Sequence, residues 1–284
     1  MSKGILYLCA TPIGNLGDMS LRGIEIMKEA DLIAAEDTRN SIKLLNHFDI
    51  HTPMTSYHEH NRFEKAEELV EMLKEGKVIV CITDAGTPGI SDPGEVLVKR
   101  CIEEGIEVTS IPGPTALITA LILSGFSTRP FRFEGFLPTE KKERDAVLKG
   151  LKEDPATLIF YEAPHRLMKT VGVLLEALGD RNAAFCKELT KKHENIRRIR
   201  LSEAKQLFET EEPRGEYVIV VEGADAEKLQ EEKQAAFQEL PLEEHMARYL
   251  AEGLDRKEAM KRVAEDRGVP KREIYKALLP QEQK

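Results

Sequence analysis

The stretch CITDAGTPGISDPG, residues 81–94, decides the fold. Its first residues continue an apolar run of the kind that forms a buried strand, and they pass directly into a loop that is poor in side chains. Glycine lets a backbone approach a ligand without a clashing Cβ, and proline holds a loop open at little ordering cost. Both residue types recur through the loop, at Gly86, Pro88, Gly89 and Pro93. The stretch therefore predicts a strand followed by a preformed wall of backbone N–H and C=O groups.

Two further loops follow predicted strands in the same way. TPIGN at residues 11–15 comes after an apolar run at 5–9, and PGPTA at residues 112–116 comes after another at 108–111. Ligands of open α/β sheets bind outside the carboxyl ends of the strands. One such loop is usually an ordinary connecting turn, but three at one sheet edge favour a ligand site. There, the carboxylate of Asp84 could accept from a ribose hydroxyl or face a cation.

The order of strand and helix patterns predicts the fold class, α/β with a C-terminal helical module. Residues 1–115 alternate the two patterns, as in a parallel sheet. Residues 116–222 predict a second α/β domain with a mixed sheet, because its last three strands lack long helices between them. Residues 223–240 are acidic and glutamine-rich, which favours a linker or an exposed helix. Residues 241–284 predict a small module that resembles a helix-turn-helix with a basic last helix.

Composition narrows the class of protein. Of the 284 residues, 41% are hydrophobic, which is typical of a globular protein with a sizeable core. No apolar run is long enough to span a bilayer. The apolar run near the N-terminus leads into a Pro-Gly turn and not into a signal-peptide cleavage site, so we expect a cytoplasmic protein without membrane contact. The cysteines and histidines lack metal-ligand spacing, which predicts buried free thiols and no bound metal.

Charge and motifs limit the choice of ligand. The net charge of −9 argues against non-specific nucleic-acid binding by the whole surface, although residues 183–200 concentrate basic side chains and could form a local patch. The segment GNLG at residues 14–17 lacks the first glycine of G-x-G-x-x-G, and no G-x-x-x-x-G-K-[ST] sequence occurs. A nicotinamide-dependent dehydrogenase is therefore the least favoured class.

Seven segments, in order along the chain, carry a resemblance to a known family. They are TPIGNLGD (11–18), AAEDTR (34–39), TDAGTPGISDPG (83–94), PGPTA (112–116), EGFLP (134–138), FYEAPHR (160–166) and KELTKKHE (187–194). Together they resemble the rRNA small-subunit methyltransferase I family, which belongs to the tetrapyrrole-methylase superfamily. The resemblance spans residues 4 to about 222, and the helical module resembles the C-terminal helix-turn-helix of that family.

The resemblance implies an activity and partners. It implies S-adenosylmethionine-dependent 2′-O-methylation of a cytidine ribose in 16S rRNA, with the 30S subunit as the expected substrate. It also implies a homodimer of chains, each with two α/β domains and the cofactor in the cleft between them. The cofactor-binding residues that it implies are Pro12, Gly14, Asp84, Gly86, Thr87, Pro88, Gly89, Gly113, Pro114, Thr115, Tyr161 and Glu162. A carboxylate favours a nearby cation, which suits Asp84 beside the sulfonium or the amine. For Glu162 and Lys187, a structural ion pair between strands is an equal alternative.

Catalysis of this reaction depends first on positioning the two reactants and second on proton transfer. Positioning alone can supply on the order of 7–11 kcal/mol of barrier reduction in a displacement reaction. A 2′-hydroxyl is a poor nucleophile, so a base or a cation beside the oxygen would help. We take Glu36, Asp37 and Lys187 as catalytic candidates. Orientation without any base is the alternative, because a carboxylate with a lowered pKa is a weak base.

Basic residues in the seven segments and in the helical module are the candidate RNA contacts. Phosphate contacts position an RNA but do not specify its sequence. The candidates are Arg39, Arg166, Lys191, Lys192, Lys271 and Arg272. Solvated surface charge is the alternative for Lys191 and Lys192, and the helical module could serve instead in dimer packing or as a folding accessory.

Two other functions stay open at this point. The same fold could methylate a tetrapyrrole or another small molecule, although the basic stretch and the helical module favour RNA. A non-catalytic regulator, with a ligand-sensing domain and a nucleic-acid-binding tail, is a second alternative. Salt-dependent DNA binding by the helical module would support the regulator.

Overall fold

The computed structural model describes residues 4–278. Residues 1–3 and 279–284, the ends of the predicted first domain and of the predicted helical module, lie outside that part. Contacts divide the chain into two compact units, which are residues 4–148 with 156–222 and residues 149–155 with 223–278. Both predicted sheets belong to the first unit, and the C-terminal helices belong to the second. The predicted division between residues 115 and 116 stays a prediction.

The first sheet has five parallel strands in the order β3-β2-β4-β1-β5. They are β1 (Ile5–Cys9), β2 (Leu32–Ala35), β3 (Met54–Ser56), β4 (Val78–Ile82) and β5 (Glu107–Ile111). The helices of this part are α1 (Leu21–Glu29), α2 (Thr38–His47), α3 (Arg62–Lys74), α4 (Gly94–Glu103) and α5 (Ala116–Ser124). Strand β1 pairs with both β4 and β5, so the loops after these three strands leave the sheet side by side, as predicted.

Local sequence explains these elements. The hydroxyl of Ser20 caps α1 by accepting the Gly23 N–H at 3.0 Å. Helix α3 buries one apolar face at the spacing that a helix requires, with Ala66, Leu69, Val70 and Leu73. Strand β4 is buried on both faces, since Ile79 packs with α3 and α4 while Val80 packs with α1 and α2. A strand covered on both faces is typical of parallel sheets, which explains the continuous apolar run before residue 83.

The second sheet is mixed, as predicted, with the order β6-β7-β10-β8-β9. Its strands are β6 (Phe131–Phe136), β7 (Thr157–Glu162), β8 (Asn182–Lys187), β9 (Asn195–Arg200) and β10 (Tyr217–Val221). Only the β6–β7 pair is parallel. The helices beside it are α6 (Lys141–Leu151), α7 (Pro164–Leu178) and α8 (Leu201–Thr210). Helix α5 packs on this sheet through Leu117, Ala120 and Leu121, in one cluster with Ile159 and Val220.

The expectation of no long helix among the last three strands is wrong for the β9–β10 connection. Helix α8 occupies it and buries Leu201, Ala204 and Phe208. The Phe208 ring packs edge-on against Phe185 of β8 at 5.3 Å. Helix α8 begins directly after β9, and strand and helix share one unbroken sequence that contains no glycine or proline. Helix α2 and strand β3 also lie where the sequence predicted no element.

The second unit is helical, as predicted, and it includes the predicted linker. Residues 223–240 contain α9 (Ala226–Glu239), followed by α10 (Leu242–Ala251), α11 (Arg256–Asp266) and α12 (Lys271–Ala277). The buried cluster of this unit consists of Met246, Ala259, Val263, Ala264 and Ile274. Asp255 caps α11 by accepting the Glu258 N–H at 2.8 Å. None of the helices in residues 4–278 combines the length and apolarity needed to cross a bilayer.

A buried histidine ties the helices of the second unit together. His245 is 1% exposed, and its ring stacks on Phe237 at 4.6 Å. Arg267 Nε donates to His245 Nδ1 at 3.2 Å, so Nε2 carries the proton and donates to Asp266 at 3.0 Å. Tyr249 donates to the same carboxylate at 2.5 Å. The network joins α9, α10 and the end of α11.

Replacing this histidine should loosen the second unit. We expect His245→Ala to lower its stability by about 2–4 kcal/mol, because the stacked ring and two hydrogen bonds are lost together. Amide hydrogen exchange in α10 and α11 measures this free energy locally. His51→Ala is the matched control, since that side chain is 79% exposed and should change stability by about 0.5 kcal/mol or less. Unchanged exchange in His245→Ala would show that the network contributes nothing.

Candidate functional site

The loops after β1 and β4 are joined by backbone hydrogen bonds. Thr11 N–H donates to Gly86 O at 2.9 Å, and Gly86 N–H donates to Thr11 O at 3.0 Å. The buried hydroxyl of Thr11 also donates to Thr83 O at 3.0 Å. Gly86 has a φ of +87°, and a Cβ on it would lie 3.3 Å from Ile13 Cγ2. The contact therefore favours glycine at this position.

The loop after β4 is also joined to the loop after β5. The Thr87 hydroxyl lies 2.7 Å from the Thr115 hydroxyl and donates to Pro114 O at 3.1 Å. Gly113 packs so closely behind this loop that a Cβ on it would lie 2.8 Å from the Ala10 Cβ. The three loops thus form one hydrogen-bonded surface along the carboxyl edge of the sheet.

Asp92 folds the long glycine- and proline-rich loop. Its carboxylate accepts from the N–H groups of Gly89 at 2.8 Å, Ile90 at 3.2 Å and Gly94 at 2.8 Å. The Tyr57 hydroxyl donates to Pro93 O at 2.8 Å and fixes the far end of the loop. The loop is therefore shaped by its own hydrogen bonds before any ligand arrives.

A cavity of about 380 Å³ lies between these loops and the second sheet, within the first unit. This volume is within the range of small-molecule sites. The first sheet contributes Ile13, Ala85, Gly86, Thr87, Ile90, Thr115 and Ala116. The second sheet and its loops contribute Phe136, Tyr161, Glu162, Ala163, Pro164, Cys186, Glu188, Leu189, Lys191, Glu216, Tyr217 and Val218.

Five of the predicted cofactor residues line the cavity, and seven do not. Those on the wall are Gly86, Thr87, Thr115, Tyr161 and Glu162. Those in the same loops but off the wall are Pro12, Gly14, Asp84, Pro88, Gly89, Gly113 and Pro114. Several of the latter shape the wall from behind, since Gly113 permits close packing and Pro114 accepts the Thr87 hydroxyl.

The second sheet supplies an aromatic part of the wall. Tyr161 accepts the Leu117 N–H at 3.2 Å, and its ring lies edge-on to Phe133 at 4.9 Å and to Phe136 at 5.7 Å. Burial raises the pKa of the Tyr161 hydroxyl, so that group stays neutral. Phe136 is 52% exposed although it lines the cavity, and its ring is therefore available to a flat ligand.

Glu162 forms its ion pair with Arg166 and not with Lys187. This glutamate is buried, accepts the Thr170 hydroxyl at 2.5 Å and lies 3.3 Å from Arg166 Nε. The other end of the guanidinium donates to Leu137 O at 2.6 Å. Arg166, a predicted phosphate contact, is thus engaged in holding Glu162 and the end of the EGFLP segment.

Lys187 does not join the other predicted site residues. Successive side chains of a strand point to opposite faces, and Cys186 of β8 faces the cavity. Lys187 faces a separate depression, together with Phe185 and Arg197. Its predicted catalytic position therefore has no support from its place in the sheet. Burial raises the pKa of the Cys186 thiol to about 12.

Three predicted acidic residues meet at the ends of β2 and β4, off the cavity wall. Glu36 accepts the Thr83 hydroxyl at 2.5 Å and the Asp84 N–H at 3.3 Å. Asp84 itself accepts the Asp37 N–H at 3.2 Å and the Asn40 side-chain amide at 3.1 Å. Asp84 was predicted to face the cofactor, but its carboxylate binds the first turn of α2, because that helix begins beside β4 in the sheet.

Asp37 holds an exposed arginine. Arg39 donates to the Asp37 carboxylate from Nε at 3.0 Å and from Nη2 at 2.7 Å, and its side chain is 88% exposed. These side-chain hydrogen bonds, with a further one from the Arg39 backbone, lower the pKa of Asp37 to about 2. Asp37 is therefore a poor proton acceptor near neutral pH, and its carboxylate holds the guanidinium of Arg39.

The remaining basic candidates differ in their surroundings. Lys191 lines the cavity, and its Nζ lies 3.1 Å from Glu188 and 2.8 Å from Glu216. Lys192 beside it is exposed. Lys271 donates to Lys257 O at 3.0 Å within the helical unit, and Arg272 follows it on α12. Across residues 4–278, no group of three or more histidine, cysteine or acidic side chains is arranged to hold a metal ion.

Sequence reasoning missed the two glutamates beside Lys191. Glu188 belongs to the KELTKKHE segment, which was read for its basic residues only. Glu216 precedes β10 in a turn that carries no motif. Only the pairing of β8 with β10 brings the two residues together, with Glu188 N–H donating to Glu216 O at 3.0 Å.

Comparison with known proteins identifies the class and then the family. A family model described as Tetrapyrrole (Corrin/Porphyrin) Methylases matches residues 5–205, so the chain belongs to that class of proteins. A Halalkalibacterium halodurans protein is 50% identical over 273 residues, 96% of this chain and 94% of that protein. A Bacillus subtilis protein is 48% identical over 274 residues, with the same coverage. Both are named Ribosomal RNA small subunit methyltransferase I, and this chain belongs to that family.

Solved structures agree on the fold alone. A diphthine synthase superimposes with a TM-score of 0.62 at 16% identity, covering 77% of this chain and 89% of that one. The methyltransferase CobJ superimposes with a TM-score of 0.59 at 18% identity, covering 78% and 95%. The predicted α/β fold with the tetrapyrrole-methylase arrangement is thereby confirmed.

Substitution at the junction of the loops should destabilise the first unit. We expect Gly86→Ala to cost about 1–3 kcal/mol, because an alanine would keep a left-handed backbone and press its Cβ against Ile13. Urea unfolding measures the loss. Gly172→Ala is the matched control. That glycine lies inside α7 with no atom near its Cβ position, so alanine there should raise the free energy of unfolding by about 0.5–1 kcal/mol. Equal stability of the two variants would contradict the strain argument.

The Asp37–Arg39 pair should contribute to stability in a pH-dependent way. The pKa of Asp37 is lowered from 3.8 to about 2, so the contribution is present above pH 3.8 and is lost as the pH falls towards 2. We expect the difference in unfolding free energy between the unaltered protein and Asp37→Asn to shrink across that interval. Denaturant unfolding at several pH values measures this difference. A difference that stays constant would contradict a contribution of the pair to stability.

Proposed function

We propose that the cavity binds S-adenosylmethionine and that the protein methylates the 2′-hydroxyl of a cytidine ribose in 16S rRNA. The observation that carries this proposal is the cavity of about 380 Å³ walled by three mutually bonded loops. The two relatives described above, which are 48–50% identical to this chain, are named for methylation of small-subunit ribosomal RNA. The nucleotide and the ribose position come from the motif resemblance and form part of the proposal.

The composition of the cavity fits this cofactor. Its first wall is backbone and small side chains, with Gly86 lacking the Cβ that would narrow it against Ile13. Its second wall offers the rings of Phe136 and Tyr161, which suit a flat adenine. Carboxylates also line it, at Glu162, Glu188 and Glu216. Each of them is already paired with Arg166 or Lys191, so the fit to the cofactor rests on the backbone wall and on the two rings.

In this reaction, residues of the chain must position the cofactor and the ribose, and one of them must accept the proton of the 2′-hydroxyl. The cofactor supplies a methyl group on a positively charged sulfur. Of the two acidic candidates at the β2 end, Asp37 is held by Arg39 and has a pKa of about 2. Glu36 is only half-buried and accepts the Thr83 hydroxyl and the Asp84 N–H with one oxygen, Oε2. We assign Glu36 as the acceptor of the ribose proton and Asp37 as the residue that orients Arg39.

The RNA surface that we propose is local, because the whole chain has a net charge of −9. Arg39 extends from the same sheet edge as Glu36, and Lys192 is exposed near the cavity loop. Lys271 and Arg272 add positive charge in the helical unit. We propose a folded 30S subunit as the substrate, because an acidic protein gains more from a shaped RNA surface than from free strands. A homodimer working in the cytoplasm completes the proposal.

The test transfers labelled methyl from S-adenosylmethionine into 30S subunits that lack the modification. We expect label in 16S rRNA at a linkage that resists alkaline hydrolysis. Glu36→Gln should lower kcat about 10²-fold or more with cofactor affinity unchanged, because the residue lies off the cavity wall. Asp37→Asn should mainly raise KM for the subunit, through Arg39.

Each result separates the parts of the proposal. Equal losses of kcat in the two variants would remove Glu36 as the proton acceptor. Cofactor binding without label in RNA would move the methyl acceptor to a small molecule. Faster methylation of protein-free RNA than of subunits would contradict the 30S substrate.

A further inference from the structure

Lys191 crosses from the second sheet to the first loop of the cavity. Gly14 has a φ of +150°, and a Cβ on it would lie 2.3 Å from Lys191 Cγ and 2.9 Å from Cε. The alkyl chain of the lysine thus occupies the space that any other side chain at position 14 would need. Both residues belong to segments that the sequence singles out, TPIGNLGD and KELTKKHE. The two residues are 177 positions apart, and the sequence does not indicate that they are in contact.

The charged end of Lys191 is held by two carboxylates. Its Nζ donates to Glu188 Oε1 at 3.1 Å and to Glu216 Oε2 at 2.8 Å. Burial opposes the charge on Lys191, but the hydrogen bonds to Glu216 and Glu188 outweigh it and raise the pKa of the lysine. Burial likewise opposes the charge on Glu188, and the Glu216 N–H and Lys191 outweigh it and lower the pKa of that carboxyl. Lys191 and Glu188 therefore stay charged, and the lysine is paired with both carboxylates.

The backbone around Lys191 is bent into an uncommon conformation. Glu188 has a φ of +50° and Thr190 a φ of +67°, both in the left-handed region that non-glycine residues rarely adopt. The turn is held by Lys191 N–H donating to Glu188 O at 3.0 Å and by Thr190 N–H donating to Glu194 at 2.6 Å. Left-handed residues of this kind cluster at ligand clamps. Here they direct one lysine across the cavity wall.

We propose that Lys191 is a positioning residue that clasps the first cavity loop, residues 11–18, to the second sheet and so retains the cofactor. The clasp consists of Lys191, Gly14, Glu188 and Glu216. The inference rests on the proposed function, because its ligand is S-adenosylmethionine. It replaces the predicted phosphate contact for Lys191, since an ammonium already shared by two carboxylates has little to offer an RNA phosphate.

Lys191→Met tests the clasp, because methionine keeps an unbranched chain over Gly14 and loses both ion pairs. We expect S-adenosylmethionine to bind about 3- to 10-fold more weakly by calorimetry, with most of the change in the dissociation rate. Amide exchange within residues 11–18 should rise even without cofactor. Gly14→Ala should give the same changes, because its Cβ displaces the lysine from the opposite side.

Lys192→Met is the matched control, since this neighbouring lysine is exposed and lies outside the clasp. It should leave cofactor affinity unchanged and instead raise KM for 30S subunits. The clasp is overturned if Lys191→Met binds cofactor normally but weakens subunit binding, with a salt dependence shallower by about one unit, as a phosphate contact predicts. It is also overturned if exchange in residues 11–18 stays unchanged. If the unaltered protein binds no S-adenosylmethionine, both the proposed function and the clasp are contradicted. If the unaltered protein binds it and the Lys191→Met results contradict the clasp, the proposed function still stands.

Discussion

The site depends on the pair of backbone hydrogen bonds between Thr11 and Gly86. Loops at a sheet edge are ordinarily free to move independently, because only the strands before them are paired. Here an antiparallel bridge of two hydrogen bonds joins the loops that follow the parallel strands β1 and β4, just beyond the end of the sheet. The Thr87–Thr115 contact extends the same connection to β5. The loops of the cavity wall are consequently bonded to one another without a ligand, which lowers the ordering cost of binding there.

Sequence reasoning succeeded where the signal was local. The parallel first sheet follows from alternating strand and helix patterns, which place the three loops at its carboxyl edge. The caps at Ser20 and Asp255 could be read from single residues and their spacing. Gly86, Thr87 and Thr115 lie on the cavity wall, and the sequence points to their loops because these combine glycine or proline with the end of an apolar run. Each of these signals lies within a few residues of the feature that it predicts.

The sequence does not reveal positions that depend on pairing between distant segments. Lys187 was grouped with the site although the phase of β8 turns it to the opposite face from Cys186. Asp84 was placed on the cofactor, whereas the position of α2 beside β4 gives its carboxylate two donors of a different kind. Glu216 has no motif at all and reaches the cavity only through the register of β10 with β8. Strand phase and register are tertiary properties that no short segment specifies.

The charges of the first unit are arranged by burial. Glu162 is fully enclosed and paired with Arg166, so it serves to fix the wall. Glu188 and Glu216 share Lys191 at the cavity, while Glu36 and Asp37 lie at the sheet edge with different partners. Carboxylates of one fold thereby lie in different surroundings, from enclosed and paired to partly exposed at the sheet edge, and such differences in surroundings give carboxylates different chemistry.

The thiol of Cys186 on the cavity wall has a consequence for an enzyme that handles an electrophilic methyl group. A thiolate is a far better nucleophile than a ribose hydroxyl, and one placed beside such a donor would alkylate itself. Burial among apolar neighbours holds the pKa of this thiol at about 12, and its Sγ lies 3.9 Å from Ala120 O. The cysteine therefore stays protonated at physiological pH, and the same apolar packing that stabilises the second sheet keeps this thiol a weak nucleophile.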